Sequence, residues 1–377
     1  MTYVPSPTVA QRSFGSALEF EVIEDWASLR RIEVDWKALW RRARRAFVLQ
    51  SFEAAQIIHR IPLRDCKARL WCLVGRTEGV LVFIWPLVIY NNHGWRLAMP
   101  LAGHLDCSDP LVLDCANYQD YVQGAWSYAL RRCPCDCFQL QFVRQNMPLY
   151  DIVAQSRWRA LVYELKLPLV ECLEGWDSYE KRLSKRQHDG FARKRRRLLE
   201  LGNIRFELLP HDTPGLAEWI VAHKKKWLSR VGWEDKIWLT TPQFTDFLRA
   251  LLADFGPDGR CRVFAMKQGE RLIAADVNFV DRHTMQWYIG TFDEEYGKYS
   301  PGQLLKEFVV RWALDHGLVY DMLGGTGQHK NYLATKVERV TTWRVSRTLW
   351  GRCYVSLRRQ LFCADPQNAT SVVSSDS

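Results

Sequence analysis

The segment from Ile273 to Tyr332 constrains the fold most, because strands alternate with one helix and the segment closes on glycines. It reads IAADVNFV, HTMQWYIGTF, DEEYGKYSPG, QLLKEFVVRWALDHG, LVYDMLGG and TGQHKNY, which predicts strand, strand, turn, helix, strand and glycine turn. The turn Ser300-Pro301-Gly302 opens the helix, so unpaired N–H groups and the positive end of a helix dipole follow a strand. Such a position suits a phosphate group. The segment therefore predicts an α/β unit that binds a phosphate-bearing ligand, with Lys330 returning after Gly324-Gly325.

The composition indicates a globular chain long enough for two domains. The 377 residues are 47% hydrophobic and carry a net charge of +10, of which +7 lies within residues 181–200. The rest of the chain is close to neutral, which argues against a general nucleic-acid-binding surface. The eleven cysteines follow no disulfide framework and residues 1–15 lack the apolar stretch of a secretory leader, so we expect reduced thiols and a cytoplasmic protein. The longest apolar run, 79–90, is too short to cross a bilayer.

The first half predicts an N-terminal lobe at 17–167 behind a disordered tail at 1–16. Its predicted strands are 19–22, 69–74, 80–89, 95–99, 137–143 and 158–165, and its predicted helices are 25–45, one that begins after Ser51, and 118–131. The turn 75–79 makes a hairpin of two of these strands. The segment from Pro168 to Trp176 is predicted to cross to a second lobe.

The second half predicts a lobe at 168–348 that opens with a basic helix, 177–201, ended by Gly202. Its further helices are predicted at 216–230, at 241–255 with Thr240 or Thr241 as the cap, and after the Ser-Pro-Gly turn; its strands are predicted at 204–208, 262–267, 272–280, 284–290, 318–323 and 340–348. A basic amphipathic helix at 349–363 and a disordered tail at 364–377 follow. Helices interleaved with hairpins and strands predict an α/β fold with a mixed sheet.

This element order resembles the acyltransferase fold of the GNAT superfamily. The residues Tyr299-Ser300-Pro301-Gly302, then Tyr320-Asp321, then His329-Lys330-Asn331-Tyr332 resemble the CelD-type acetyltransferase-like proteins of cellulose and exopolysaccharide synthesis. Similar glycine-then-lysine sequences occur in Fem-type peptidyltransferases, which pair two GNAT-like lobes. The resemblance covers residues 175–348 well and the first lobe in outline. It implies two GNAT-like lobes side by side, the first of them degenerate.

The resemblance also implies where a cofactor would bind. The loop from Tyr299 to Gly302 would face the pyrophosphate of acetyl-CoA, with the N–H groups of Gly302, Gln303 and Leu304 as donors, and Ser300 within the same turn. Strands 284–290 and 318–323 would diverge around the pantetheine arm. Leu304 stands where the coenzyme A signature has glycine or alanine, so we expect its side chain to crowd the pyrophosphate.

Three residues are candidates for the chemistry. Lys330 would stabilise the oxyanion that forms when an amine or hydroxyl attacks a thioester. Asp321 could act as general base or could make a structural hydrogen bond at the end of its strand, and His329 is a second candidate base. A solvated surface position remains the alternative for Lys330.

Other polar residues are candidates for acceptor binding. Asp276 and Asn278 alternate along one strand, and Gln286 and Tyr288 along the next, so they line either an acceptor groove or the solvent face of the sheet. In the basic helix, Arg195 and Arg196 either bind an anionic acceptor, a tRNA or a membrane surface, or form a solvated face. Cys133, Cys135 and Cys137 are predicted to be buried thiols, so no metal site is expected.

These features predict direct acyl transfer from acetyl-CoA to a sugar, glycoconjugate or polysaccharide precursor. The first alternative is a Fem-type aminoacyltransferase that uses aminoacyl-tRNA, with the basic helix binding the phosphates of the tRNA. The second is an inactive GNAT-like scaffold of a polysaccharide-synthesis system, which Leu304 favours. The oligomeric state is left open.

Overall fold

The computed structural model describes residues 18–103, 108–232, 237–324 and 332–363. Within these ranges the strands are β1 Glu19–Ile23, β2 Arg69–Thr77, β3 Val80–Asn92, β4 Trp95–Pro100, β5 Leu111–Val112, β6 Cys137–Arg144, β7 Arg159–Val170, β8 Ile204–Leu209, β9 Cys261–Gln268, β10 Arg271–Val280, β11 Thr284–Phe292, β12 Val319–Asp321 and β13 Lys336–Ser346. The helices are α1 Trp26–Arg31, α2 Glu33–Arg42, α3 Phe52–Arg60, α4 Tyr118–Arg132, α5 Pro148–Ala154, α6 Trp176–Arg182, α7 Lys185–Leu199, α8 Leu216–Arg230, α9 Pro242–Phe255, α10 Pro301–Asp315 and α11 Leu349–Cys363. The predicted tails lie outside the described residues.

All the strands belong to one mixed sheet. Their order is β1-β2-β3-β4-β6-β13-β7-β12-β11-β10-β9-β8, with β5 paired to β3. Neighbouring strands are mostly antiparallel, whereas β4 with β6 and β11 with β12 are parallel. The predicted α/β class with a mixed sheet is therefore confirmed, and the two lobes are the two halves of this sheet.

The two halves share strands at the centre of the sheet. The C-terminal strand β13 lies between β6 and β7, and β7 pairs on its other edge with β12. The predicted crossover from Pro168 is wrong in its first residues, because Pro168 lies opposite Val337 inside β7. Its carbonyl accepts a hydrogen bond of 3.1 Å from Met322 N–H, so Pro168 still contributes one hydrogen bond on that side although it has no N–H to donate. The connection to α6 is 171–175.

Two long predicted helices are each divided in the structure. The segment 25–45 forms α1 and α2, which meet at Ile32. The basic segment 177–201 forms α6 and α7, because Ser184 starts a new helix there: its hydroxyl accepts from Gln187 N–H, and the Gln187 side chain accepts from Ser184 N–H. This reciprocal capping box satisfies N–H groups at the start of α7 and explains the break.

Local turn and cap chemistry decides other boundaries. The predicted hairpin is confirmed, but its turn is the pair Glu78-Gly79 rather than 75–79, and both residues have positive φ, as two-residue hairpin turns require. Helix α8 has the predicted bounds, and Thr241 caps α9 by accepting from Phe244 N–H.

Helices cover both faces of the second half of the sheet. Helices α8 and α9 pack on one face and share a continuous core with the first half, whereas α6, α7 and α10 pack on the other face around Tyr179, Phe191, Val309 and Tyr320. The described part of the chain contains no helix with the length and apolarity needed to span a membrane. This layering places α7 beside the start of α10.

Candidate functional site

The predicted Ser-Pro-Gly turn is present at the start of α10, but Ser300 rather than Gly302 adopts the unusual backbone conformation. Ser300 itself adopts the left-handed conformation, with φ 57° and ψ 47°, and its side chain makes no capping hydrogen bond. Gly302 lies within the helix and does not have positive φ; a Cβ there would lie 3.4 Å from the Phe292 ring. The backbone strain of this turn is therefore carried by a serine, which is uncommon outside functional or tightly packed turns.

Two of the three N–H donors predicted for pyrophosphate are already engaged. The N–H groups of Gln303 and Leu304 donate to the Ser300 carbonyl at 3.1 and 3.3 Å. The prediction that Leu304 crowds the ligand is also wrong, because its side chain is buried in the core beneath α10. Leu304 therefore gives no support to an inactive scaffold.

Strands β11 and β12, which the resemblance places around the pantetheine arm, pair only briefly near this turn. They pair in parallel over three positions only, from Thr284 with Val319 to Gln286 with Asp321. Beyond this point β12 ends while β11 continues to Phe292, and the register of β10 with β11 shifts between Val277 and Asn278. A gap in the ladder therefore opens next to the first turn of α10.

A cavity of about 480 Å³ lies between α7 and the start of α10. The lining residues are Arg186, Gly190, Phe191, Arg193, Lys194, Arg197, Lys298, Tyr299, Ser300, Gln303, Lys306, Tyr332 and Leu333. Six of these are Lys or Arg, and the lining includes no Asp or Glu. The cavity is thus a site of concentrated positive charge that suits an anionic ligand.

Helix α7 supplies four of the cations from one face. Arg186, Gly190, Arg193, Lys194 and Arg197 follow the three- and four-residue spacing that puts side chains on one side of a helix. The Lys194 ammonium donates to the Gln303 side chain and so joins α7 to the start of α10. Burial and the neighbouring Arg193 charge lower the pKa of Lys194.

The two arginines predicted for substrate binding lie outside this lining. Arg195 pairs with the buried Glu307 on α10, with 3.2 Å from its Nε to Oε2, and this partner raises the pKa of Arg195. Arg196 is exposed on α7. The side chains that face the cavity are their neighbours on the helix, so Arg195 fastens α7 while Arg193 and Arg197 line the cavity.

A buried polar network forms the floor of the cavity around Lys306. Its ammonium lies 2.6 Å from Asp276 Oδ2, donates to the Tyr320 hydroxyl at 2.8 Å and sits 4.5 Å above the Trp287 ring. The Tyr320 hydroxyl donates to Asn278 Oδ1 at 3.0 Å, and the Trp287 indole donates to Asp276. Burial lowers the pKa of Lys306 and raises the pKa of Asp276, while each partner opposes the shift of the other.

The four polar strand residues do not form the solvent face of the sheet. Asp276 and Asn278 are buried in the network just described, and Gln286 is buried as well. Tyr288 packs on Phe279 and Phe244, with ring centroids 4.9 and 6.4 Å apart. Asp276 and Asn278 do not line the cavity but are connected to its Lys306, directly and through Tyr320, whereas Tyr288 faces α9.

Asp321 occupies a separate buried ion pair. Its carboxylate lies 2.7 Å from the Arg144 guanidinium at the end of β6, and both side chains are at most 1% exposed. Its Oδ1 also accepts from Leu323 N–H at 2.9 Å. This arrangement matches the structural alternative for Asp321 and lies outside the cavity lining.

Lys330, His329 and the predicted glycine turn after Gly324 lie outside the described residues. The chain is described again from Tyr332, whose hydroxyl donates to the Arg186 carbonyl at 3.2 Å and whose ring meets Phe191 edge to face at 5.6 Å. The Gln187 side chain donates to the Tyr332 carbonyl. Tyr332 therefore binds α7 through two hydrogen bonds and a ring contact at the wall of the cavity.

The three clustered cysteines are buried thiols. Cys133 ends α4, Cys135 lies in the following loop and Cys137 begins β6, and burial raises the pKa of Cys133 and Cys137. The described ranges hold no group of three or more His, Cys, Asp or Glu side chains arranged for a metal ion.

Sequence reasoning missed Lys306 and Lys298, and in the basic helix it selected Arg195 and Arg196 rather than the four cations that line the cavity, Arg186, Arg193, Lys194 and Arg197. Lys306 lies on the buried side of α10 among Leu304, Leu305 and Val309, so a lone charge among apolar positions was the available indication. The stripe that begins at Arg186 on α7 could also be read from its spacing. Neither pattern shows which face another helix covers.

The site thus combines a mixed sheet with a cationic cavity at the start of α10. Residues 185–331, from the first residue of α7, match the family described as an acetyltransferase (GNAT) domain. The matched segment is less than half of the chain. No curated protein matches the chain.

Solved structures share the fold over nearly the whole chain at low sequence identity. FemX superposes with a TM-score of 0.58 and 9% identity, covering 92% of this chain and 100% of that one. A conserved protein of unknown function from Bacteroides thetaiotaomicron gives 0.52 and 10%, covering 84% and 97%. The C-terminal DUF2156 domain of a protein described as a lysylphosphatidylglycerol synthetase, from Agrobacterium fabrum, gives 0.51 and 12%, covering 88% and 96%. These similarities establish the fold of both halves.

Proposed function

We propose that this protein transfers an acyl group, most simply acetyl, from acyl-CoA to a hydroxyl or amine of a sugar, glycoconjugate or polysaccharide precursor. The observation that carries the proposal is the cationic cavity between α7 and the start of α10, next to the gap between β11 and β12. The GNAT domain match supports the reaction class. The CelD-type resemblance of Tyr299–Gly302 and His329–Tyr332 supports a glycan acceptor.

The charge of the cavity suits the phosphates of coenzyme A. Five cations besides the paired Lys306 line it, and charge-assisted hydrogen bonds from Arg and Lys to phosphate are stronger than those from neutral donors. Because Gln303 and Leu304 N–H groups donate to Ser300, side chains rather than a row of backbone donors would hold the pyrophosphate. The pantetheine arm would then enter the gap beyond Gln286 and Asp321.

The chemistry would be a direct attack. The acceptor oxygen or nitrogen bonds to the thioester carbon, the C–S bond breaks, and the acceptor proton leaves to a base while the coenzyme A thiolate gains a proton. Lys330 is proposed to stabilise the oxyanion and His329 to accept the proton. The ion pair with Arg144 supports a structural role for Asp321, so the base role stays a weaker proposal.

The test is calorimetric titration of the purified protein with acetyl-CoA and with desulfo-coenzyme A. Both should bind with micromolar affinity. Arg193→Gln and Arg197→Gln, each on the cavity wall, should weaken binding about tenfold, since one charge-assisted contact is worth about 1.5 kcal/mol or more. Arg196→Gln removes the same charge from the exposed side of α7 and serves as the matched control.

The comparison among the three arginines separates specific binding from a general charge effect. Equal losses in all three variants would show that only the net charge of α7 matters, and absent binding in the wild type would contradict the acyl-CoA proposal. A product assay with candidate sugar acceptors follows a positive result.

A second candidate, transfer from aminoacyl-tRNA, is favoured by the extent of the positive charge. Arg196 and Lys185 continue the charge of α7 outside the cavity, farther than the phosphates of one coenzyme A require. Binding of tRNA should then fall steeply with salt, because each phosphate contact releases counterions. A salt series with tRNA and with acetyl-CoA discriminates the two donors.

A further inference from the structure

We propose that Lys306 binds a phosphate oxygen of the donor from the floor of the cationic cavity, and that Asp276 is the positioning residue that keeps Lys306 charged and oriented. The inference rests on the proposed function, which it deepens by assigning a specific anion contact. Lys306 is 8% exposed, yet it lines the cavity together with Lys194 and Gln303.

The geometry fixes the direction of the Lys306 ammonium. A lysine ammonium has three N–H donors. The contacts to Asp276 Oδ2 at 2.6 Å and to the Tyr320 hydroxyl at 2.8 Å account for two of them. Because Tyr320 donates onward to Asn278, its oxygen acts as acceptor toward Lys306, and the chain of hydrogen bonds has a fixed polarity. Among the described residues no other hydrogen-bond acceptor is recorded for this ammonium, so the third donor is the one that we assign to a ligand in the cavity.

The network also explains how a buried ammonium can stay charged. Burial penalises a charged amine, and an opposite charge within hydrogen-bond distance offsets that penalty. Asp276 supplies this charge and is itself held by the Trp287 indole. The other charged or titratable groups around Lys306 are Tyr320 on β12, Lys224 on α8, Arg186, Arg193, Lys194 and Arg197 on α7, Lys298 before α10, and Glu307 with its partner Arg195.

A purely structural ion pair would give a different response to pH. If Lys306 contacts the phosphate, affinity falls as pH rises through the pKa of Lys306. Asp276 is the group that raises this pKa against burial, so Asp276→Asn should move the fall in affinity to lower pH. The phosphate monoester of acetyl-CoA has its second pKa near 6, so above about pH 7.5 the phosphate charge of acetyl-CoA is constant.

The experiment measures affinity for acetyl-CoA between about pH 7.5 and 10. Affinity for inorganic pyrophosphate is measured at a single pH, because inorganic pyrophosphate itself loses a proton within that range. Lys306→Met leaves the Asp276 charge buried without a partner, which destabilises the fold by itself. The double variant Lys306→Met/Asp276→Asn, which removes both charges, is therefore measured beside it. Lys226→Met on the exposed side of α8 is the matched control. Circular dichroism and thermal melting establish that each variant is folded.

The double variant should bind both probes at least tenfold more weakly than the wild type. Its affinity for acetyl-CoA should also no longer fall as pH rises through the pKa of Lys306. Lys226→Met should bind as the wild type does. A folded double variant with wild-type affinity and pH profile overturns the inference and leaves the acyl-CoA proposal intact. If pyrophosphate binds through Lys306 while acetyl-CoA does not, the inference stands and the proposed function fails. If neither probe binds the wild type, both are overturned.

Discussion

Two buried ion pairs lie near the place where β11 and β12 stop pairing. They differ in whether they border the cavity. Lys306 with Asp276 borders the cavity, whereas Arg144 with Asp321 joins the end of β6 to the end of β12. A buried pair stabilises little on its own, but removing one partner leaves an unpaired buried charge. The Arg144–Asp321 pair therefore acts as a fastening between the two halves of the sheet.

Asp321→Asn should destabilise the protein strongly, because the Arg144 charge would be left buried and unpaired. We expect a loss of about 3–5 kcal/mol in the free energy of unfolding, measured by urea denaturation. Glu270→Gln, which breaks the exposed pair with Arg205, is the control and should change stability little. A stable Asp321→Asn protein that binds acetyl-CoA but does not turn over would instead identify Asp321 as the base.

At the residue scale the sequence predicted the location of the site better than its contacts. The Ser-Pro-Gly turn was identified correctly as the start of α10, yet Ser300 rather than Gly302 has the left-handed backbone conformation. Leu304 was expected to face the ligand and instead faces the core, because its position on the helix turns it toward the sheet. Which side of a helix start faces a ligand depends on tertiary packing, and a local motif does not encode it.

At the scale of elements, the division of the basic segment into α6 and α7 positions the cations. The capping box of Ser184 and Gln187 fixes where α7 begins, and Gln187 also donates to the Tyr332 carbonyl. Arg186, in the first turn, lines the cavity. The cap of α7 is therefore coupled to the wall of the site.

Ser184→Ala should lower the free energy of unfolding by about 1 kcal/mol and weaken acetyl-CoA binding modestly, since the first turn of α7 would fray. Ser184→Thr retains a capping hydroxyl and should restore most of both properties. Denaturant unfolding and calorimetry measure the two effects. Equal behaviour of the alanine and threonine variants would show that the cap does not hold the cavity wall.

The spacing of residues in α7 shows how far a helix can be predicted from sequence. Apolar Phe191 and Leu198 mark its buried side, and the stripe from Arg186 to Arg197 follows from the period. The boundary at Ser184 was also present in the sequence as Ser-Lys-Arg-Gln, a capping-box pattern that the continuous run of charge obscured. Periodicity does not show that this stripe faces the start of α10 across a cavity, because that arrangement depends on long-range packing.

At the scale of the whole molecule, the predicted lobe boundary at 167/168 falls inside β7. Residues 168–377 expressed alone should therefore fail to fold, because they lack most of β7, which pairs with both β12 and β13. Circular dichroism and the cooperativity of thermal unfolding would test this expectation. A fragment that melts cooperatively would show that the second half is an independent domain.

The topology of the sheet was the least predictable feature of the fold. Strand existence and type followed from local patterns, and the bounds of β10 and β11 differ from prediction by at most two residues at each end. The insertion of β13 between β6 and β7 pairs residues such as Val340 and Arg144 that lie far apart in the chain. Nothing in the composition of β13 specifies this partner rather than another strand edge.

The late position of β13 in the chain has a consequence for synthesis. While the ribosome translates the long segment between β7 and β13, the emerging N-terminal half carries strands β6 and β7 without the neighbour that joins them. Unpaired strand edges invite association with other chains, and domains of this size fold through intermediates. The step that closes the sheet must therefore wait for residues 336–346, and a nascent chain paused before them would be exposed to aggregation or to chaperone capture.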